Sequence, residues 1–158
     1  MEDDKGLLQT NQRMQMNKAY FIGIDIGTQG ARVLMMDDNG VLLGAKEQGF
    51  PISDQSREEQ DPTRWWSSCR QSISALCKTL SVEYDLSLVK SIGVTSTSGT
   101  IIPVDKNNVP LHPAIMYSDG RSKEEAAYCK ATALAAKAKG YTAFNASSGL
   151  PNLLSIGS

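Results

Sequence analysis

The sequence predicts an α/β fold in which a three-strand antiparallel meander is followed by a helix, further strands and a second helix. Two apolar runs, Tyr20 to Ile26 and Ala31 to Met36, flank a short Gly-rich turn, and this arrangement predicts a β-hairpin. Asn39-Gly40, the strongest short signal for a tight turn, then leads into an apolar segment that begins at Val41. The meander is therefore expected before the first helix.

Length and composition limit the classes of protein to consider. A chain of 158 residues is enough for one domain, and a formal net charge of −1 gives no electrostatic footprint for nucleic acid. No apolar run approaches the ~18 residues of a membrane span. Three cysteines without C-x-x-C spacing favour reduced thiols and a cytoplasmic location over a disulfide framework.

The first 18 residues, MEDDKGLLQTNQRMQMNK, are polar and begin with an acidic cluster. They lack the basic start and apolar stretch of a secretory signal. We predict a disordered extension over residues 1–18, followed by one domain over residues 19–158. Met14 or Met16 is an alternative start of the functional chain.

The turn of the hairpin combines a carboxylate with residues that suit phosphate binding. Asp25 sits among core side chains, and a buried charge must be paired, bind a cation or serve a site. The turn residues Gly27, Thr28 and Gln29 offer backbone amides and a hydroxyl to an anion. Asp25 could hold hydrated Mg²⁺, and Arg32 adds a planar positive group. The alternative is an ordinary Gly-rich hairpin with a satisfied aspartate.

A long helix is predicted after a polar loop that runs from Gln48 to Gln60. Asp61-Pro62 supplies an N-cap and a proline at the first helical position, and helical periodicity continues to Leu80. One face is apolar and carries Trp66, Cys69, Ile73, Leu76, Cys77 and Leu80. Trp65 and Trp66 could form a platform for stacking a sugar, but the periodicity favours Trp66 in the core and Trp65 over the helix start.

A hydroxyl-rich loop follows the next predicted strand, Ser91 to Val94. Its residues, Thr95-Ser96-Thr97-Ser98-Gly99-Thr100, suit hydrogen bonding to a sugar; an edge strand with a bend at Gly99 is the alternative. Further short strands are predicted at residues 101–104 and 113–117. His112 is the one histidine and is interpreted as a loop residue, not a catalyst. With one histidine and no metal-ligand spacing, neither a Ser-His-Asp triad nor a zinc site is predicted.

A second helix is predicted from a capping box, Ser122 with Glu125, to about Lys139, where Gly140 closes it. From Tyr141 to Ser158 the sequence is polar and predicts no element that would close the fold. The chain is therefore expected to be truncated. An apolar sheet edge left open in this way would favour association into a homo-oligomer.

Several of these segments together resemble the N-terminal part of the FGGY carbohydrate kinases. The resemblance runs from Ala19 to Ser158 and depends on the strand with Asp-x-Gly-Thr, on EQDP leading into Trp65-Trp66, and on PAIMYSDGR at residues 113–121. It implies a ribonuclease-H-like, actin-like ATPase domain in which parallel strands follow the meander. It also implies that this domain binds sugar and that a C-terminal ATP-binding domain is absent from the chain.

The resemblance also assigns roles to individual residues. Asp25, Gly27, Thr28, Gln29 and Arg32 match the first phosphate loop, where the family places ATP phosphate and Mg²⁺, the latter held by Asp25 through water. The sugar-binding positions match Thr97, Ser98, Gly99 and Tyr117. The loop lacks the sequence Gly-Gln-Met-His-Gly that is usual in xylulokinases, and Tyr117 stands where many members have tryptophan. In both features the chain is similar to a branch of xylulose- and ribulose-kinase-like proteins from plants and cyanobacteria.

The implied activity is ATP-dependent phosphorylation of a sugar, favouring a pentulose such as xylulose or ribulose. The family's general base is an aspartate downstream of residue 158, so the chain alone is expected to be inactive. Two alternatives stay open. One is a stand-alone sugar-binding or regulatory module, and the other is a fragment of an actin-like ATPase that is not a kinase.

Overall fold

The computed structural model describes residues 18–157, which form two compact units. The first unit comprises the residues up to Gly49 together with Ser67–Thr95, and the second comprises Phe50–Trp66 and the residues from Ser96 onward. The predicted extension, apart from Lys18, and both candidate start methionines lie outside the described residues.

The structure contains six strands and three α-helices within the described residues. The strands are β1 Tyr20–Ile26, β2 Gly30–Asp37, β3 Leu42–Gly49, β4 Glu59–Gln60, β5 Val89–Ser96 and β6 Ala114–Ile115. The helices are α1 Pro62–Leu80, α2 Lys123–Ala135 and α3 Gly149–Ile156, and short 3-10 turns occur at Asp54–Arg57, Leu86–Leu88 and Tyr141–Ala143.

The first unit is built on a four-stranded sheet with the order β3-β2-β1-β5. β1 is antiparallel to β2 and β2 is antiparallel to β3, whereas β5 forms a parallel pair with β1. The predicted α/β class and the meander are therefore confirmed. One irregularity interrupts the β2–β3 ladder between Met35 and Met36, where Met35 faces Gly44 but Met36 faces Leu42. Leu43 is the extra residue of this β-bulge.

The turn between β2 and β3 is fixed by a side chain as well as by Asn39-Gly40. The Asp37 carboxylate accepts hydrogen bonds from the amides of Val41 at 2.8 Å and Asn39 at 2.9 Å, and Gly40 has a positive φ of 78°. These bonds, the one from Val41 most strongly, hold the pKa of Asp37 below its usual value. The second unit repeats the same pattern at residues 105–109, where Asn108 takes the positive φ.

Helix α1 packs on one face of this sheet. A Cβ atom added to Gly44 would lie 3.1 Å from Leu80 and 3.3 Å from Leu76, so the glycine allows the helix close to β3. The core of the first unit consists of apolar side chains from β1, β2 and α1: Tyr20, Ile22, Ile24, Ala31, Val33, Met35, Cys69, Leu76 and Leu80.

The prediction that Trp66 lies in the core is wrong, because its side chain is 65% exposed. The buried line of α1 runs through Ser68, Ser72 and Leu76. Trp65 precedes Ser72 by seven residues, which is two helical turns, and so continues this line. Trp66 is rotated away from it by about 100°.

The second unit contains a small sheet in which β4 pairs antiparallel with β6. Ile101 exchanges both backbone hydrogen bonds with Ile115, and Val104 forms a bridge with Pro110. The strand predicted at residues 101–104 is therefore reduced to two isolated bridges. Pro103 and Pro110 lack the amide hydrogen that a continuous ladder needs.

The end of the chain differs from the prediction in three respects. The Ser122 side chain does not cap α2; it donates to Asn152 Oδ1 at 2.8 Å, and both residues are fully buried. Helix α2 ends at Ala135, with Lys137 at a positive φ of 54°. Helix α3 occupies part of the stretch that was expected to lack any element, and it packs on α2.

A charged network joins the two sequence segments that define the second unit. Arg121 contacts Glu59 Oε1 through Nη1 at 2.6 Å and Asp119 Oδ2 through Nε at 2.6 Å. Partial burial works to lower the pKa of Arg121, but the hydrogen bond to Glu59 and the nearby carboxylates outweigh it and raise that pKa. The Asp119 side chain is only 2% exposed, and Arg121 is the guanidinium partner of this buried carboxylate.

We predict that Arg121→Ala destabilises the chain more than Arg64→Ala. Removing Arg121 leaves the buried Asp119 carboxylate without its guanidinium partner, which costs about 2 kcal/mol after allowance for the 39% exposure of the arginine. Arg64 is the matched control, because its pair with Asp61 is exposed and 3.8 Å long. Denaturant unfolding measures both variants, and equal losses of stability would contradict the role given to the network.

Candidate functional site

The turn between β1 and β2 spans the four residues Gly27 to Gly30, of which Gly30 is the first residue of β2. The Gly27 amide donates to the Gly30 carbonyl at 3.0 Å, so this amide closes the turn and is not free for a ligand. Gln29 at the tip is exposed and Thr28 is half-buried. A Cβ atom added to Gly30 would lie 2.8 Å from the carbonyl oxygen of Gln48, so only glycine fits where β3 approaches.

Three charged side chains lie in a row across β1, β2 and β3. Asp25 is directly opposite Arg32, and Arg32 is directly opposite Glu47. Arg32 Nη1 is 3.3 Å from Asp25 Oδ2, and Arg32 Nε is 3.4 Å from Glu47 Oε2. The Asp25 side chain is 46% exposed, so it is accessible and paired, not enclosed in the core as its apolar neighbours suggested.

Sequence reasoning missed Glu47, and the reason is the bulge at Leu43. Next to the turn between β2 and β3, Met36 faces Leu42. If this register continued for four more residues along each strand, Lys46 would lie opposite Arg32. Beyond the bulge the register shifts by one, and Glu47 takes that place. Only knowledge of the bulge would have identified the pair of Arg32 and Glu47, and the sequence does not mark the position of the bulge.

The row has the chemistry for a phosphate site. A guanidinium carries five N–H donors, and the two ion pairs of Arg32 leave others for an anion. Within residues 18–157, no cluster of three or more His, Cys, Asp or Glu side chains is placed to hold a metal ion. Mg²⁺ is commonly bound by one or two carboxylates together with phosphate oxygens and water, and the accessible Asp25 fits that mode.

Strand β5 continues to Ser96, so the predicted hydroxyl-rich loop is reduced to Thr97–Thr100, which lies in the second unit. Thr97 and Thr100 share a hydrogen bond of 3.0 Å between their hydroxyls, and Ser98 is exposed. Gly99 has a positive φ of 82°, and a Cβ added there would lie 3.3 Å from the Cβ of Tyr117. The structure thus brings the loop against Tyr117, whose side chain remains 46% exposed.

The second unit also contains a pocket of about 540 Å³ that sequence reasoning did not predict. Its wall includes Trp65, which stacks on Phe50 with ring centroids 6.3 Å apart and donates from Nε1 to Gln60 Oε1 at 2.8 Å. Glu59 and Arg121 of the charged network line it as well. The EQDP segment that leads into the tryptophans is the signal that could have indicated it.

The remaining reactive side chains take structural places. All three cysteines are free, and burial raises the pKa of the Cys69 thiol, which makes it a poor nucleophile. His112 Nδ1 is hydrogen-bonded to the carbonyl of Pro113 in a loop, as expected.

None of the helices in the described part of the chain is long and apolar enough to cross a membrane.

Comparison with known proteins supports the resemblance seen in the sequence. The profile of the N-terminal domain of the FGGY family of carbohydrate kinases matches residues 20–153. Xylulose kinase of Escherichia coli is 31% identical over 107 residues, 66% of this chain and 21% of that protein. Gluconokinase of Bacillus subtilis is 27% identical over 107 residues, 66% of this chain and 20% of that protein. The chain therefore spans about a fifth of the length of these relatives.

Solved structures give the same result for the fold. A xyloylose kinase from Brucella ovis superposes with a TM-score of 0.73 at 26% identity, over 87% of this chain and 29% of that one. Glycerol kinase of Plasmodium falciparum with ADP superposes with a TM-score of 0.67 at 21% identity, over 87% of this chain and 28% of that one, which shows a shared fold. The profile match covers most of the residues, and the chain belongs to the FGGY family of carbohydrate kinases, within its N-terminal domain.

Proposed function

We propose that this chain is the N-terminal part of a kinase that transfers the terminal phosphoryl group of ATP to a hydroxyl of a pentulose such as xylulose or ribulose. The observation that carries the proposal is the pairing of Asp25 with Arg32 beside the Gly27–Gly30 turn, within a chain that the family profile matches. Several relatives are xylulose kinases, which supports a pentulose among the sugars.

In this proposal the first unit binds the phosphates of ATP. Arg32 and the tip of the turn, Thr28 and Gln29, provide positive charge and hydrogen-bond donors, and Asp25 holds Mg²⁺ through water. Catalysis of phosphoryl transfer depends mostly on positioning and on neutralising charge. ATP with Mg²⁺ supplies the phosphoryl group, while the residues of the chain orient and neutralise it. A second domain, C-terminal to this one, holds the rest of the nucleotide.

The second unit provides the contacts to the sugar in this proposal. Thr97 and Ser98 offer hydroxyls, Gly99 shapes the loop, and Tyr117 forms a partly apolar wall. Hydroxyl groups both donate and accept, so they suit the hydroxyl pattern of a ketose. Ser98 is the residue of choice for a test because it is exposed.

The general base lies outside this chain in the proposal. Asp119 is a poor candidate because it is buried and holds Arg121 through both carboxylate oxygens. Glu124 and Glu125 occupy the first turn of α2, where their charge interacts favourably with the helix dipole. The chain of 158 residues is therefore inactive alone.

Two further expectations remain predictions. β5 is an edge strand of the described sheet, because it pairs with β1 on one side only. Two of its apolar residues, Ile92 and Val94, are 55% and 65% exposed. Such an edge is able to pair with additional chain or with another copy, which keeps the expected homo-oligomer as a prediction. The free cysteines agree with the proposed cytoplasmic location.

We predict that the full-length protein phosphorylates a pentulose with ATP, whereas the purified chain of 158 residues does not. The reason is that the base and the second nucleotide-binding domain lie downstream. A coupled assay of ADP release over pentuloses, hexuloses and polyols measures both proteins. Turnover by the short chain would contradict the placement of the base, and a full-length protein inactive on every sugar would contradict the kinase.

We predict that the preferred sugar raises the Tm of the full-length protein and that Ser98→Ala reduces this shift, because binding to the folded state stabilises it by mass action. Ser74→Ala, an exposed serine of α1, is the matched control and keeps the full shift. An unchanged shift in Ser98→Ala would remove this loop from the sugar site. A sugar shift without any turnover would favour a binding module.

A further inference from the structure

We infer that Glu47 is a positioning residue that sets the orientation of the Arg32 guanidinium towards bound phosphate; the inference rests on the proposed function. Glu47 is the outermost of the three charged residues in the row and lies on β3, away from the turn that connects β1 and β2. It lies opposite neither Asp25 nor a residue of the turn, and the ion pair that the described residues give it is with Arg32.

The two carboxylates hold different parts of the guanidinium. Glu47 contacts Nε at 3.4 Å, and Asp25 contacts Nη1 at 3.3 Å. A guanidinium is planar, so two contacts at separate nitrogens fix the direction of the plane, whereas one contact leaves it free to rotate. Glu47 therefore determines which way the remaining N–H donors point.

The fixed orientation brings the guanidinium to the turn. A Cβ atom added to Gly27 would lie 3.6 Å from Arg32 Nη1, so the end of the side chain passes close to the backbone of that residue. The donors of Arg32 and the tip of the turn then act on the same anion. Without Glu47, Asp25 alone would hold the guanidinium.

Stability does not explain this arrangement. The side chains of Arg32 and Glu47 are 55% and 62% exposed, and exposed pairs typically contribute little to folding. The bulge at Leu43, however, places Glu47 opposite Arg32 where the unshifted register would place Lys46, a like charge. The irregularity thus places an opposite charge, instead of a like charge, across from Arg32.

The test compares three variants of the full-length protein. Glu47→Ala removes the ion-pair partner of Arg32 Nε, Glu47→Gln keeps an oxygen there without the charge, and Glu83→Ala removes an exposed carboxylate elsewhere in the first unit. Calorimetry with Mg²⁺ and ATP gives the Kd, steady-state kinetics give KM and kcat, and thermal unfolding checks the fold.

We expect Glu47→Ala to raise both the Kd and the KM for ATP about three- to fivefold, with an unchanged Tm. Glu47→Gln should restore most of the affinity, and Glu83→Ala should match the wild type. Equal constants for Glu47→Ala and Glu83→Ala would overturn the inference, as would a Glu47→Gln variant as weak as Glu47→Ala, since charge and not orientation would then matter.

The same measurements separate this inference from the proposed function. Phosphorylation of a sugar by the wild type with no effect of Glu47→Ala overturns the inference and leaves the kinase intact. Binding of ATP that weakens in Glu47→Ala, without turnover of any sugar, supports the inference and contradicts the kinase. A wild type that neither binds ATP nor turns over contradicts both.

Discussion

The close antiparallel pairing of β1, β2 and β3 is the constraint on which the candidate phosphate site depends. The ladder places Asp25, Arg32 and Glu47 side by side, and the Gly27 to Gly30 hydrogen bond closes the turn at its end. Gly30 allows β3 to pair closely with β2, because the Gln48 carbonyl oxygen occupies the space that a Cβ atom at this position would need. The geometry of the charges is thus set by backbone hydrogen bonds and by one missing Cβ atom.

Local signals in the sequence were sufficient for the extent of α1 and for the turn between β2 and β3. Asp61-Pro62 and the helical periodicity correctly gave α1, and Asn39-Gly40 gave the turn, since both patterns act within a few residues. Glu47 could not be found in this way. A single extra residue at the bulge changes which side chains face each other, and a bulge leaves no clear mark in a sequence.

The errors in the second unit have two physical causes, a competing tertiary contact and missing backbone donors. Ser122 fits a capping box, but a buried hydrogen bond to Asn152 takes its hydroxyl. The prolines near Ile101 leave too few donors for the predicted strand. By contrast, the EQDP and YSDGR segments contact one another through Glu59, Arg121 and Asp119, and this network links the two parts of the chain that form the second unit.

The most direct test of the account is a crystal structure of the full-length protein with ADP, Mg²⁺ and a phosphate analogue. We expect the phosphate analogue to lie at the Gly27–Gly30 turn, within hydrogen-bonding distance of Arg32, while Glu47 still contacts Arg32 Nε. Phosphates bound elsewhere, with Arg32 remaining between its two carboxylates, would contradict the assignment of this turn as the phosphate site.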